Sequence, residues 1–297
     1  MTFNDNADVS KNTARRRGRT AAIAGGGVVG LGAIAVLVLN LLGLGDFAGL
    51  VGGLTGDTGG TTSQQQSAGE GVIADCATGA DANTRDDCRL AAGSLALDQY
   101  WAAQVEGYRQ PQLIVVDGST PTACGTASNA TGPFYCPPEE TVYVDPTFFG
   151  LLQQQFGATA GALSQLYVLA HEYGHHIQQI TGIMDAHPNN GTGPDSNGVR
   201  TELQADCFAG SWIAAMSQQV DEDGVPYLQP PTEQQLVDAL NAASTVGDDH
   251  IQQASGGAVN PESWTHGSSE QRQRWFATGY KNGLGACDTF APSGSAL

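Results

Sequence analysis

Two histidines and a glutamate near the middle of the chain have the types and spacing of a metal-dependent hydrolytic site. The stretch reads His171-Glu172-Tyr173-Gly174-His175, an HExxH pattern. On a helix, residues four apart share one face, so both imidazoles can reach a single tetrahedral zinc ion. Glu172 lies one step round the helix, where it can take a proton from water and later pass it to a leaving amine. The pattern predicts one Zn²⁺ ion as cofactor, and a chance string on an ordinary helix is the alternative.

A third protein ligand is usual in a catalytic zinc site. The longer HExxHxxGxxH pattern would supply one, but Gln178 and Thr181 stand where it needs glycine and histidine. Residues 202–206, on a separate predicted helix, are the better source. We expect Glu202 to bind the metal and Asp206 to accept a hydrogen bond from the far nitrogen of a ligand histidine. The alternative is that both carboxylates lie on a solvated helix face.

Four further histidines could compete for the third ligand position. His176 points about 100° away from His175 around the helix, so it is a poor ligand. His187 and His250 lie in or near polar loops, and we assign them no role. His266 belongs to a separate motif over residues 266–280.

The metal motif must be positioned by helices, and the apolar pattern predicts them. Residues recur at three- and four-residue steps along a helix over about 160–181, at Leu163, Leu166, Tyr167, Ala170 and Ile177. Other helices are predicted at about 89–107, 145–157, 199–218, 232–245 and 268–282, and strands at 111–118 and 141–144. The fold class is therefore α+β, mostly helical with a small sheet.

The composition divides the chain into four parts. We expect a cytoplasmic basic tail (1–20), a transmembrane anchor (21–45), a flexible linker (46–70) and the catalytic domain (71–297). As a helix the apolar run would be about 36 Å long, enough for a bilayer core of about 30 Å. The basic flank predicts a single-pass protein with a cytoplasmic N-terminus and an extracytoplasmic domain. A cleaved signal peptide is the alternative, although its apolar region is usually shorter.

The charge distribution argues against a nucleic-acid partner. Beyond residue 45 there are 28 acidic residues and seven basic ones. Nucleic-acid phosphates need a surface rich in lysine and arginine. The expected partners are a peptide or protein substrate and, through the N-terminal helix, a membrane.

All six cysteines lie beyond the apolar run, which is typical of an oxidising compartment. Buried free thiols are the alternative. The spacing favours three disulfides, Cys76–Cys88, Cys124–Cys136 and Cys207–Cys287.

Three separated motifs carry a resemblance to a known family. HEYGHHIQ, ELQADCFAG and HGSSEQRQRWFATGY occur in this order and together resemble the neutral zinc metallopeptidases over most of residues 70–290. The HExxH…ExxxD arrangement is similar to that of gluzincin peptidases. The resemblance implies a zincin-like fold and a metal-dependent hydrolase, and it names no substrate.

The same resemblance suggests roles for residues outside the ligand set. It places His266 beside the active site, where its imidazole could donate a hydrogen bond to the developing oxyanion. A loop histidine that caps the following helix is the equal alternative. Arg272 and Arg274 could pair with buried carboxylates, and Tyr143 lies in a candidate edge strand that a peptide could extend.

We therefore expect a zinc metallopeptidase that hydrolyses peptide bonds outside the cytoplasmic membrane by metal-activated water. One alternative is a non-catalytic envelope binding module with a structural zinc site, which would have four protein ligands. Another is an amidase that acts on cell-wall peptide.

Overall fold

The computed structural model describes residues 3–18, 71–292 and 297, so the predicted anchor (21–45) and linker (46–70) lie outside the described residues. Within that described part, no helix is both long and apolar enough to cross a bilayer. The fold is α+β, but the expected transmembrane helix and the single-pass location are contradicted. The helices that are described bury their apolar side chains against one another and against a sheet, in a protein core.

The described residues form seven strands. In chain order they are β1 (Arg15–Arg17), β2 (Gly71–Val72), β3 (Gln112–Val116), β4 (Ser119–Thr122), β5 (Gly125–Ser128), β6 (Phe134–Cys136) and β7 (Thr141–Val144). Five of them make a mixed sheet in the order β2-β1-β3-β7-β6. The three central strands are parallel, and each edge strand is antiparallel to its neighbour. The remaining pair, β4 and β5, forms a separate hairpin.

Nine α-helices account for most of the rest of the described chain. They are α1 (Gly79–Thr84), α2 (Asp86–Gln104), α3 (Thr147–Phe156), α4 (Ala162–Ile180), α5 (Ile183–Ala186), α6 (Asn197–Ala215), α7 (Glu233–Thr245), α8 (Asp248–Ala254) and α9 (Ser269–Asn282). The five longer predicted helices and the helix over 145–157 all occur, with ends shifted by a few residues. The sequence pattern missed the short helices α1, α5 and α8.

Alternation along the strands separates two apolar layers. Leu113 and Val115 of β3 face the helices and join the main core, whereas Ile114 and Val116 pack beneath the β4–β5 hairpin. Tyr143 of β7 points to the hairpin side as well. Because β7 lies between β3 and β6, the expectation that Tyr143 belongs to an edge strand is wrong, and β6 is the edge.

The two helices that carry the metal motifs are buried on every side. All residues from Leu163 to Gln178 of α4 are buried, and so are all residues of α6 from Val199 to Ile213. Helix α4 ends just before Gly182, which adopts a left-handed conformation (φ 76°) that glycine allows without steric cost.

Helix α9 packs closely along α6 because each helix places a glycine against the backbone of the other. A Cβ atom on Gly279 would lie 1.8 Å from the carbonyl oxygen of Cys207, and one on Gly210 would lie 2.1 Å from that of Phe276. The Cys207–Cys287 disulfide fixes the chain beyond α9 to the same helix. All three predicted disulfide pairings are confirmed.

We expect Gly279→Ala to lower the free energy of unfolding by about 1–3 kcal/mol, because the added methyl group forces α6 and α9 apart. Urea denaturation would measure the change. Gly150→Ala is the matched control: Gly150 lies within α3 with no neighbouring atom within 4 Å of the added Cβ. This control should be neutral or stabilising by up to about 1 kcal/mol. Equal destabilisation by both substitutions would refute the close helix contact.

Candidate metal centre

Three side chains from α4 and α6 converge on one point. His171 Nε2 lies 3.1 Å from His175 Nε2 and 3.1 Å from Glu202 Oε2. His175 Nε2 lies 3.5 Å from Glu202 Oε1. All three residues are buried, and together they form a group that could hold a metal ion.

These separations fit a zinc ion. Donor atoms around a tetrahedral ion with bonds of roughly 2.0–2.1 Å are about 3.3–3.4 Å from one another. The observed separations of 3.1 and 3.5 Å bracket that value. Two imidazoles and one carboxylate are also the donor set of several catalytic zinc sites. The residues present therefore fit the group that the motif implies.

The outer nitrogen of each ligand imidazole is held by a different partner. His171 Nδ1 donates to Asp206 Oδ1 at 2.8 Å, as the sequence predicts. His175 Nδ1 donates to Gln178 Oε1 at 2.9 Å. The Gln178 amide is fixed in turn, because its Nε2 donates to the carbonyl of Thr201 at 2.7 Å. Donation from Nδ1 leaves the Nε2 lone pair of each ring directed toward the convergence point.

Asp206 is a buried carboxylate with several donors. Tyr167 Oη donates to its Oδ1 at 2.5 Å, and Arg272 donates to both oxygens at 2.8 and 2.9 Å. Burial alone would raise the pKa of Asp206, but the charges of Arg272 and His171 lower it to about 2. The carboxylate therefore stays ionised and keeps His171 oriented. The expected pairing of Arg272 with a buried carboxylate is present, whereas Arg274 reaches the carbonyl of Leu297.

The charges of the three ligand residues and their neighbours shift one another's pKa values. Burial opposes ionisation of Glu202, yet His175, His266 and His171 hold its pKa well below the usual range. Burial lowers the pKa of His171, but Asp206 and Glu202 together raise it to about 10. A proton and a metal cation therefore compete for the same pocket, and metal affinity should weaken as the pH falls.

Glu172 lies beside this group with no exposure to solvent. Neither of its carboxylate oxygens makes a hydrogen bond of normal geometry within the described chain. Burial raises the pKa of Glu172, against the charges of His175 and His171 and the backbone N–H of Tyr135 in β6. A buried carboxylate without a donor is costly unless a polar group or cation comes close to it. Its placement suits a group that exchanges protons with a bound water.

His266 stands at the edge of the centre on a loop held by one carboxylate. Asp248 Oδ2 accepts the backbone N–H groups of Thr265, His266 and Gly267 at 2.7, 2.7 and 3.0 Å. His266 Nδ1 lies 2.9 Å from Thr265 Oγ1 and 3.4 Å from Asp248 Oδ1. Burial lowers the pKa of His266, but Glu202 and Asp248 raise it above its ordinary value. The cap of the next helix is Ser268, so His266 does not have that role.

The remaining histidines lie elsewhere. His176 is hydrogen-bonded to Tyr135 Oη at 2.9 Å and donates from Nε2 to the carbonyl of Arg109 at 2.7 Å. His187 stacks on Phe290 with ring centroids 3.8 Å apart.

Sequence reasoning missed three residues of the centre. Gln178 stands three residues after His175 on the same helix face, a spacing that could have identified it. Tyr167 was assigned only to the apolar face of α4, although its hydroxyl bonds Asp206. Asp248 is separated from His266 by 18 positions and carried no local signal.

The fold and site define a class of protein, a metal-binding domain with an HExxH helix and a carboxylate from a second helix. The model of the family described as "Putative neutral zinc metallopeptidase" matches residues 2–290, and the chain belongs to that family. The family that the resemblance indicated is thereby confirmed.

Relatives of similar length occur in bacteria. The uncharacterized protein Rv2575 of Mycobacterium tuberculosis is 46% identical over 221 residues, which is 74% of this chain and 75% of that protein. The uncharacterized protein YpfJ of Escherichia coli is 44% identical over 204 residues, covering 65% of this chain and 67% of its own. No solved structure matches the chain.

We expect Glu202→Ala to weaken zinc binding by at least about 100-fold, because changes to groups that merely support the ligands already cost about 10- to 100-fold. Metal analysis after dialysis, with chelator competition, would measure the loss. Glu106→Ala removes an exposed carboxylate and should leave zinc content unchanged. Normal zinc affinity in Glu202→Ala would mean that another group completes the site.

Proposed function

We propose that the protein is a zinc-dependent metallopeptidase that hydrolyses peptide bonds with Glu172 as the general base. The observation that carries this proposal is the convergence of three ligand atoms beside a fully buried carboxylate that makes no hydrogen bond of normal geometry among the described residues. Membership of the zinc metallopeptidase family supports the same reaction class.

His171, His175 and Glu202 would hold the ion. Bound zinc would polarise a peptide carbonyl and lower the pKa of water toward about 7. Glu172 takes the proton from the attacking water at a carboxylate oxygen and later delivers it to the leaving amine nitrogen. Its raised pKa favours this exchange, because a carboxylate of higher pKa is a stronger base.

His266 is the proposed donor to the developing oxyanion. Its Nδ1 faces Thr265 and Asp248, which leaves Nε2 for a second hydrogen bond. The Asp248 carboxylate beside Nδ1 favours the imidazolium form, in which Nε2 carries a proton. A donor held in place by four contacts to one buried carboxylate needs no reorganisation when charge develops.

Edge strand β6 is the proposed docking site for the substrate backbone. It is the edge of the sheet nearest the centre, since the Tyr135 backbone N–H acts on the pKa of Glu172. An extended peptide can add to such an edge through main-chain hydrogen bonds, which would align its carbonyls with the catalytic groups. Backbone recognition of this kind favours an unfolded segment of a peptide or protein as substrate.

A purely structural zinc site fits less well. Such sites usually have four protein ligands. In the described part of the chain, the group formed by His171, His175 and Glu202 has three members, and His266 is not among them. Three protein ligands are typical of a catalytic site, which keeps one position open.

We expect Glu172→Gln to keep its zinc and lose peptidase turnover by at least about 100-fold, because the amide cannot accept a proton. Zinc content and cleavage of an unstructured peptide library would be measured on the same preparation. Glu106→Gln serves as the control at an exposed glutamate. Turnover close to that of the unmodified protein would exclude Glu172 as the base.

We expect His266→Gln to lower kcat by about 10²- to 10³-fold with little change in KM or zinc content, because the donor acts on charge formed in the transition state. His187→Gln, at a histidine stacked outside the centre, is the control and should retain activity. A loss of zinc without a change in kcat per bound ion would assign His266 to metal binding instead.

A further inference from the structure

Residues 3–18, defined here as the N-terminal segment, are part of the domain that carries the metal centre. Phe3, Ala7, Val9 and Ala14 are each at most 1% exposed and belong to the main apolar core. This core also contains buried residues of α2, α4 and α6. The segment therefore contributes to the packing that supports the ligand helices.

Backbone hydrogen bonds hold the N-terminal segment along its length. The N–H of Asn4 donates to the carbonyl of Tyr227 at 2.9 Å, and the N–H of Val9 donates to that of Ala77 at 2.9 Å. Further along, β1 is an interior strand of the five-stranded sheet, parallel to β3 and antiparallel to β2. An interior strand uses both of its hydrogen-bonding edges, so its removal would leave β2 without its partner and expose one edge of β3, which pairs with β7 on its other side.

The rest of the domain has side chains and space that match this segment. A Cβ atom on Gly79 would lie 1.9 Å from the carbonyl oxygen of Asn4, so the contact requires glycine. The Asn83 amide accepts from the N–H of Phe3 at 2.8 Å and donates to its carbonyl at 2.9 Å. Such two-way pairing imitates the bonds of a neighbouring strand.

The end of the N-terminal segment lies beside the start of β2. Arg16 is paired with Gly71 and Arg15 with Val72 in antiparallel register. Paired Cα atoms in antiparallel strands are about 4.5–5.5 Å apart. Arg16, close to the end of the N-terminal segment, and Gly71, where the described chain resumes, are therefore direct neighbours.

We propose that the N-terminal segment is a built-in strand of the catalytic domain and lies on the same side of any membrane as the metal centre. Direct backbone bonds from β1 to β2 and β3 leave no room for a lipid bilayer between them. The arginines of β1 suggested a cytoplasmic flank, yet Arg16 forms an ion pair with Asp87 of α2 within the domain. The charge of Arg16 therefore stabilises a contact within the folded domain.

Retention of a cleaved segment tests the first half of this proposal. The full chain would carry an N-terminal tag and a specific protease site between residues 55 and 70. After cleavage, capture of the domain through a C-terminal tag should retain the N-terminal fragment. Val9→Asp should weaken retention by at least about 100-fold, because it places a carboxylate in the apolar core.

Ser10→Asp is the matched control, since Ser10 is the exposed neighbour of Val9 and the added charge stays in solvent. It should retain the fragment as the unmodified chain does. Separation of the fragment from the unmodified domain, or equal retention in Val9→Asp, would overturn the built-in strand. Neither readout depends on peptidase activity.

Labelling of the two chain ends in intact cells tests the second half. A membrane-impermeant reagent should reach single cysteines or tags at both termini, or at neither. Rupture of the cells should then expose any protected pair together. Labelling of one terminus alone in intact cells would place the segment and the domain on opposite sides and overturn the proposal.

Discussion

The metal centre depends on the close crossing of α4 and α6. Gly174 faces Ala205 there, and a Cβ atom on Gly174 would lie only 3.0 Å from the Cα of Ala205. On α4, the ligand His171 stands three residues before Gly174, and His175 stands one residue after it. On α6, the ligand Glu202 stands three residues before Ala205, and Asp206 stands one residue after it. Because both helices carry their groups at the same offsets, one short contact sets every distance between the imidazoles and the carboxylates. Larger residues at the crossing would open those distances beyond the tolerance of about 0.5 Å that a functional site allows.

The close crossing of α4 and α6 buries two carboxylates, Glu202 and Asp206, and positively charged neighbours balance their charge. Asp206 is neutralised by the buried guanidinium of Arg272, which also donates to the carbonyl of Val246 at 3.1 Å. Among the described residues, Glu202 forms no ion pair with an arginine and instead faces imidazoles that would share a cation with it. The two carboxylates of α6 therefore have different tasks, although they are one turn apart. Asp206 pairs with the permanent charge of Arg272, whereas Glu202 is free to bind an exchangeable cation.

Local patterns in the sequence predicted the ligand helix, the second carboxylate helix and all three disulfides. The HExxH spacing and the ExxxD spacing are properties of single helices, so they can be read without knowledge of the fold. Pairings between distant segments could not be read in this way. Residues 15–17 are three arginines, which are typical of a flank or a tail, and only their register beside β3 makes them a strand. The edge strand was likewise misplaced, because β6 lies in a stretch rich in turn residues and its order in the sheet is not a local property.

The disulfides lie beside the elements on which the centre depends. Cys124–Cys136 secures the last residue of β6, next to the strand edge proposed for substrate. Cys76–Cys88 adjoins the N-terminal segment, where Asn12 donates to the carbonyl of Cys76 at 3.2 Å. Cys207–Cys287 lies closest to the chemistry: the carbonyl of Cys287 accepts from Gln204, whose side-chain oxygen accepts from Gln178, the partner of His175. A chain of hydrogen bonds thus joins a covalent crosslink to the orientation of a ligand imidazole. Since loss of that crosslink would free the segment beyond α9, oxidation of the cysteines and the geometry of the metal centre are physically linked.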